Sequence, residues 1–355
     1  MKNFDVIIIG AGAAGLMCAI EAGKRGRRVL VLDHANKVGK KILMSGGGRC
    51  NFTNYVIEPH HYISANPHFC KSALKRYTSS DFINLVKHYQ IPFHEKSHGQ
   101  LFCDNKASDI VAMLLSLCKD ANVCIRLQTS IERVVTEGSK YNLLLNSGER
   151  LSSKALVIAT GGLSIPTMGA SPYGYQLAAQ FGINVLPTRA GLVPFTLQPE
   201  EKAQLSLLSG VSVPCRVHCN SQSFTLDMLF THRGLSGPAM LQISSYWNPG
   251  DVLQIDLDAN DEWAHDLPKR KRHEPRIRLK NCFSEALPKR VTSTIFAEDL
   301  LNRELQHFSD QELKKIQASI KQWCIKPNGT EGYRTAEVTL GGVNTDMLSS
   351  QTMEV

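Results

Sequence analysis

The 355-residue chain lacks any apolar run long enough to cross a membrane. Its longest uncharged stretch near the N-terminus, Val6–Ile20, holds three glycines and falls short of the roughly 18 residues a span needs. Asp5 precedes that stretch and no A-x-A site follows it, which argues against a secretory leader. The ten cysteines are dispersed and nowhere form C-x-x-C, so a disulfide scaffold is excluded and a reduced, cytoplasmic compartment is expected. Internal repeats are absent. With 43% hydrophobic and 20% charged residues, the composition excludes disordered, collagen-like and coiled-coil classes. At about 150 residues per domain, the length predicts two to three domains.

What is present begins at once. Phe4–Ile9 is rich in Val and Ile, as in a strand buried on both faces. Gly10-Ala11-Gly12-Ala13-Ala14-Gly15 follows, then a helical pattern over Leu16–Lys24, a second strand at Val29–Leu32, and Asp33. This is β-turn-α-β with G-x-G-x-x-G at the first turn. Gly10 permits the turn, Gly12 lets backbone approach a pyrophosphate, and Gly15 lets helix and strand pack closely. The helix N-terminus offers free N–H groups to phosphates. Asp33, eighteen residues beyond Gly15, is placed to accept from ribose hydroxyls. A dinucleotide-binding, Rossmann-like α/β domain is predicted. A Gly-rich turn in an ordinary α/β domain would leave the terminal acid unexplained.

The chain then runs through Lys40, Lys41 and Ser45-Gly46-Gly47-Gly48-Arg49-Cys50-Asn51-Phe52-Thr53-Asn54. Bare glycine backbone can hold an anion or lie against a planar ring. The lysines supply positive charge near a pyrophosphate, and Asn51 and Asn54 offer amides to polar ring edges. Together with Gly10–Gly15 and Asp33, this stretch resembles the N-terminal FAD-binding region of the BaiN/YhiN-like bacterial flavoproteins, relatives of the glutathione-reductase and fumarate-reductase superfamily often labelled aminoacetone-oxidase-family FAD-binding proteins. Further matches are Gly99–Cys103, Ala159–Gly162, Leu192–Phe195, Phe230–Pro238 and Asn328–Thr339, so the resemblance covers nearly the whole chain. It implies noncovalent FAD; no His lies between Ala35 and Pro59 to form a covalent link. Implied cofactor residues are Gly10, Gly12, Ala13, Ala14, Gly15, Asp33, His34, Lys40, Lys41, Ser45, Gly46, Gly47, Gly48, Asn51 and Asn54. Ile131 is added through its backbone beside the adenine, and Thr160, Gly161 and Gly162 where the chain passes the pyrophosphate.

Helical patterns open at Asn66-Pro67, at Ser80-Asp81 and at Ala107. Strands are read at Val123–Leu127 and Ile131–Thr136, then a hairpin through Tyr141–Leu145 and a buried strand at Ala155–Ala159. An FAD-binding domain is expected over 1–190, with 336–355 returning to it. An inserted domain is expected over 191–335, β-rich over 191–258 and helical over 259–325. Ser309–Glu312 forms a capping box before Leu313, Ile316 and Ile320. Cys215, His218 and Cys219 lack a distant partner pair, and no metal is expected. Between Asp266 and Arg290 stand nine Lys/Arg and three acids, most of the chain's net +8. This reads first as a solvated, mobile loop; contact with an anionic partner or nucleic acid is the sharper alternative.

The functional expectation is an FAD-dependent oxidoreductase acting on a small molecule, with NAD(P)H as the candidate reductant and the inserted domain capping the flavin. His232, Arg233 and Arg334 are the candidate catalytic residues; nucleic acid and membrane are not expected partners. The alternative is a flavin-fold binding protein, or an inactive member, using the basic segment. Members of the family it resembles continue past the point where this chain ends, so weak or absent FAD, and either dimerisation or local disorder near the uncovered face, are further expectations. An NAD-only dehydrogenase is disfavoured, since no second G-x-G-x-x-G is present.

Overall fold

A computed structural model describes residues 1–260, 264 and 267–355. The chain forms two compact units, 1–187 with 341–355, and 188–340. The sequence placed these divisions at 190/191 and 335/336. They fall elsewhere because single strands carry the chain across both points, so the change in composition comes inside the second unit.

The first unit contains β1 (Lys2–Ile9), α1 (Ala13–Lys24), β2 (Val29–Leu32), α2 (Lys40–Met44), β3 (Asn51–Asn54), α3 (Lys71–Arg76), α4 (Ser79–His88), β4 (Phe93–Glu95), β5 (Gln100–Cys103), α5 (Ser108–Asp120), β6 (Cys124–Arg126), β7 (Ile131–Glu137), β8 (Lys140–Leu145), β9 (Arg150–Ile158) and α6 (Tyr173–Gln180). Its main sheet has the order β6-β2-β1-β9-β8-β7. The first four strands are parallel, Val6 opposite Val29 and Ile7 opposite both Leu30 and Leu156. β7–β8–β9 form an antiparallel meander. β1 and β2 are buried on both faces because Ile7 and Leu30 enter one apolar cluster while Ile8 and Val31 enter another; this is why they read as continuous Val/Ile runs. The sequence separated the hairpin strand from the buried strand at 155–159; one long strand, β9, serves both.

The second unit holds β10 (Val185–Gly191, which crosses the first division), β11 (Phe195–Thr196), α7 (Pro199–Leu205), β12 (Ser212–Cys219), β13 (Gln222–Phe230), β14 (Gly234–Ser236), α8 (Pro238–Ser244) and β15 (Leu253–Asp256). Next come α9 (Leu267–His273), α10 (Leu279–Ser284), α11 (Lys289–Ile295), α12 (Glu298–Asn302), α13 (Asp310–Lys321), β16 (Trp323–Ile325), β17 (Gly329–Thr330) and β18 (Val338–Val343, which crosses the second). Seven strands make an antiparallel sheet, β16-β15-β12-β13-β14-β11-β17. Along β12, Val213, Cys215, Val217 and Cys219 point inward and His218 outward, so the two thiols pack in the core while the imidazole stands on the other face. Ser309 caps α13 in a reciprocal box with Glu312.

The basic stretch corrects the sequence reading. It is not a loop: α9, α10 and α11 bury Leu267, Leu279, Cys282, Phe283 and Val291 in the core of this unit. Pro268 and Pro288 stand at helix starts, where a missing N–H costs nothing, and the cations of α9 occupy its last turn, where they complement the helix dipole. Asp266, counted with this stretch, lies outside the described residues. Among the described residues no helix is long and apolar enough to cross a membrane.

Candidate functional site

The three glycines of the first turn do different work. A Cβ on Gly10 (φ +113°) would sit 2.3 Å from the Ala159 carbonyl oxygen, and one on Gly15 would sit 1.9 Å from that of Gly10. These two glycines let α1 and β9 close on the end of β1. A Cβ on Gly12 would meet nothing within 4 Å. Gly12 is also the N-cap of α1, without a side-chain cap and without an acid in the first turn. The first N–H groups of α1 are therefore left for an anion.

Asp33 ends β2 on the same side. Its Oδ2 accepts the Ala11 N–H at 2.7 Å and its Oδ1 the Ala35 N–H at 2.8 Å. The His34 Nδ1 stands 3.7 Å from Oδ1. A carboxylate has about four acceptor sites, so two backbone bonds leave capacity for a ligand hydroxyl.

These groups line a groove of about 750 Å³. Among the residues that line it are Gly10, Gly12, Ala13 and Ala14 from the first turn, Asp33, His34, Lys40 and Lys41, and Ile131, Thr160 and Gly161. The Lys41 Nζ lies 4.0 Å from where a Cβ on Gly161 would stand. Lys41 is exposed to solvent, yet surrounding protein disfavours its charged form and lowers its pKa. Gly15 is buried beneath the groove.

The other expected residues stand outside it. Ser45–Gly48 form a single tight turn, with Gly46 and Gly47 left-handed. A Cβ on Gly46 would strike the Asn51 nitrogen at 2.7 Å, whereas Gly47 and Gly48 have open space before them. The Ser45 hydroxyl donates to the Ile42 carbonyl. The Asn54 amide donates to the His98 carbonyl and accepts the Val56 N–H. The Asn51 amide, oriented to suit its neighbours, donates to the Thr53 and Leu101 carbonyls at 3.2 Å each. Both amides thus brace the β3–β5 region. Gly162 follows Gly161 but does not line the groove.

Sequence reasoning missed Lys37 and the segment Met168–Ser171 with Tyr173, all of which line the groove. Gly169 (φ +95°) brings that segment against His34, whose Nε2 would be 3.1 Å from a Cβ there. A Met-Gly-Ala-Ser run shortly after Ala-Thr-Gly-Gly was the available signal.

The candidate catalytic residues belong to the second unit. Phe195 pairs with both Leu235 and Thr330, so β11 brings the 231–234 turn and the 329–335 segment to one end of the sheet. The Thr231 hydroxyl accepts from the Arg233 and Gly234 N–H groups. Arg233 pairs with Glu331 at 3.3 Å, and the Glu331 side chain is 10% exposed. His232 and Arg334 are exposed and have no ion pair among the described residues. Beside Arg334, the buried Tyr333 Oη and Thr335 Oγ1 have no hydrogen-bond partner. Buried hydroxyls of this kind call for a ligand or water.

The HI0933-like protein Rossmann domain matches residues 4–355. The chain is 51% identical over 363 residues to a protein of Escherichia coli (strain K12) named ribosomal RNA dihydrouridine synthase, covering 100% of this chain and 89% of that one. It is 48% identical to the protein of the same name from Haemophilus influenzae, covering 98% and 88%. At 25% identity it resembles a 3-dehydro-bile acid delta(4,6)-reductase of Clostridium scindens, covering 98% and 88%. Among solved structures, the open conformation of a flavocytochrome c3 fumarate reductase aligns at 17% identity and TM-score 0.39, covering 60% of this chain and 47% of that one. The chain belongs to the HI0933-like protein family and carries its Rossmann domain.

Proposed function

We propose that this chain is an FAD-dependent reductase that saturates the C5–C6 double bond of uridine in ribosomal RNA. The observation that carries the reading is 51% identity along the whole chain to the Escherichia coli ribosomal RNA dihydrouridine synthase. The more distant bile acid reductase supports the reaction type, since both names denote addition of hydrogen to carbon–carbon double bonds. In this reading the expected small-molecule substrate gives way to a base within RNA.

The groove residues suit FAD. Space before Gly12 and the uncapped start of α1 suit the pyrophosphate, with Lys40 and Lys41 alongside. Asp33 suits a ribose hydroxyl and the backbone at Ile131 the adenine. Bound there, the flavin supplies the hydride chemistry, with NAD(P)H as electron source.

What remains falls to the chain's side chains. The C5–C6 bond of uridine is conjugated with the C4 carbonyl. Hydride delivered to C6 would place negative charge on O4, and a proton would then be required at C5. Arg334, a cation without an ion pair among the described residues, is assigned to O4. His232 is assigned the proton at C5. Arg233, held by Glu331, positions the turn that carries His232.

The test is to incubate the FAD-loaded protein and NADPH with unmodified ribosomal RNA and read dihydrouridine by mass spectrometry. Formation of dihydrouridine is expected. NADPH-dependent flavin bleaching with no dihydrouridine in the RNA would overturn the substrate and leave the cofactor reading standing.

A further inference from the structure

We infer that the end of α9 and the α9–α10 turn form a phosphate-binding surface that anchors folded RNA through Arg272, Arg276 and Arg278. The inference rests on the ribosomal RNA reading for its partner. The surface itself stands on separate observations.

The first observation is charge that the fold leaves uncompensated. From 267 to 290 there are nine Lys/Arg and two acids, Glu274 and Glu285. Glu285 is taken by Arg270 at 2.8 Å, and Lys271 pairs with Asp310 at 2.8 Å. Lys280 donates to the Asn302 amide oxygen and Arg290 to the Leu207 carbonyl, partners that carry no charge. Arg276, Arg278 and Lys289 are exposed and have no ion pair among the described residues; Arg272 is exposed too, with Asp310, already bonded to Lys271, near enough to feel its charge. The paired cations fasten helices together, and the others face water.

The second observation is that this charge is displayed on a fixed backbone. Leu305 donates its N–H to the Ile277 carbonyl at 2.9 Å, Gln306 to Pro275 at 2.8 Å and Leu279 to Arg303 at 3.1 Å. The turn carrying Arg276 and Arg278 is therefore laced to the 303–306 segment, and Leu279 beneath it is fully buried. Guanidinium groups on a rigid support lose little freedom when they bind, and their forked donors match phosphate oxygens.

The third observation selects the partner. Among the described residues no large apolar side chain is exposed between 267 and 308. A protein partner would call for an apolar centre, and a bilayer for apolar residues to insert. The lone aromatic residue of 267–290, Phe283, is buried, so stacking on unpaired bases is absent. What remains is backbone contact, independent of sequence, with a structured polyanion.

The experiment measures binding of the FAD-loaded full chain to a transcribed ribosomal RNA domain across a salt series. R272E/R276E/R278E is compared with the wild type and with K24E/R25E/R27E, which makes the same charge change on exposed residues of the first unit. Each phosphate contact contributes roughly 0.7–0.9 to the slope of log affinity against log salt, so the patch variant is expected to lose about two to three from that slope and at least tenfold in affinity. The control variant should stay within about twofold. Flavin content and unfolding temperature report whether the patch variant is folded. An unchanged slope in a folded patch variant, or an equal loss in the control, would overturn the inference. Dihydrouridine formation is read separately, so its absence in the wild type counts against the substrate and not against the surface.

Discussion

The Asp33 carboxylate reaches across the first turn to take the Ala11 N–H at 2.7 Å. The acid that ends β2 therefore braces the loop between β1 and α1, in addition to whatever ligand it meets. Asp33→Ala should cost the ligand-free protein about 1.5–3 kcal/mol, the range for hydrogen bonds to a charged group, and should weaken FAD binding as well. Urea unfolding of the apoprotein and flavin titration separate the two effects. A purely ribose-binding Asp33 would leave the first unchanged.

Gly12 and Gly15 should part company under substitution. Gly12→Val faces open space, so the variant should fold with near-normal stability and lose dinucleotide binding. Gly15→Ala drives a methyl into the Gly10 carbonyl and should cost more than about 3 kcal/mol or prevent folding. Thermal unfolding, with flavin fluorescence on the folded fraction, checks both.

Arg334→Ala should lower the turnover of uridine reduction by about 10²–10³, the range for loss of one donor to a developing oxyanion, while leaving flavin affinity and stability intact. Glu331→Gln should act more mildly, by freeing Arg233. Single-turnover kinetics measured beside the flavin spectrum distinguish a lost chemical contact from a lost cofactor.

Acid should loosen the helical part of the second unit through Glu312. Its bonds from Arg303 and from the Ser309 N–H and hydroxyl hold its pKa at about 2, below the ordinary 4.5. Lowered in the folded state, this group stabilises the fold above pH 4.5, and its contribution drains away as pH falls toward 2. Hydrogen exchange across α13 should therefore accelerate in that window. Glu312→Gln, which keeps an acceptor and removes the charge, should flatten the dependence.

The thiols should sort by burial. Burial raises Cys103 and Cys215 to about 12 and Cys118 and Cys219 to about 11; Cys124 and Cys324 are exposed. Alkylation of the native protein at pH 8 should modify Cys124 and Cys324 first and leave those four intact, as peptide mapping would record.

How far the sequence reached depends on distance along the chain. Gly10–Gly15 and Asp33 were legible because their spacing alone sets a turn, a helix start and an acid side by side. Met168–Ser171 and Tyr173 were not, since small residues acquire meaning only once β9 lies against β1 and delivers them to the groove. Asn51 and Asn54 looked like ligand-facing amides, but each found carbonyls within its own small sheet. The basic stretch misled through its prolines. They punctuate three short helices of six or seven residues, so the four-residue spacing of Leu279, Phe283 and Leu287 never runs through one unbroken helix and was masked by the surrounding charge.

The nested arrangement of the two units has a consequence for synthesis. Residues 188–340 are contiguous and can close on their own core as they leave the ribosome. The flavin-binding unit is in two pieces, and its later piece is bound by contacts of long sequence separation. The Asn344 N–H donates to the Asn184 carbonyl, the Asn66 amide to Asp346, and Arg76 to the Gln351 carbonyl. These bonds wait until the whole inserted unit has been translated, roughly 10–30 s at bacterial rates. The nascent dinucleotide fold spends that interval without them, and full protection of its 66–76 region arrives only after the insert is made.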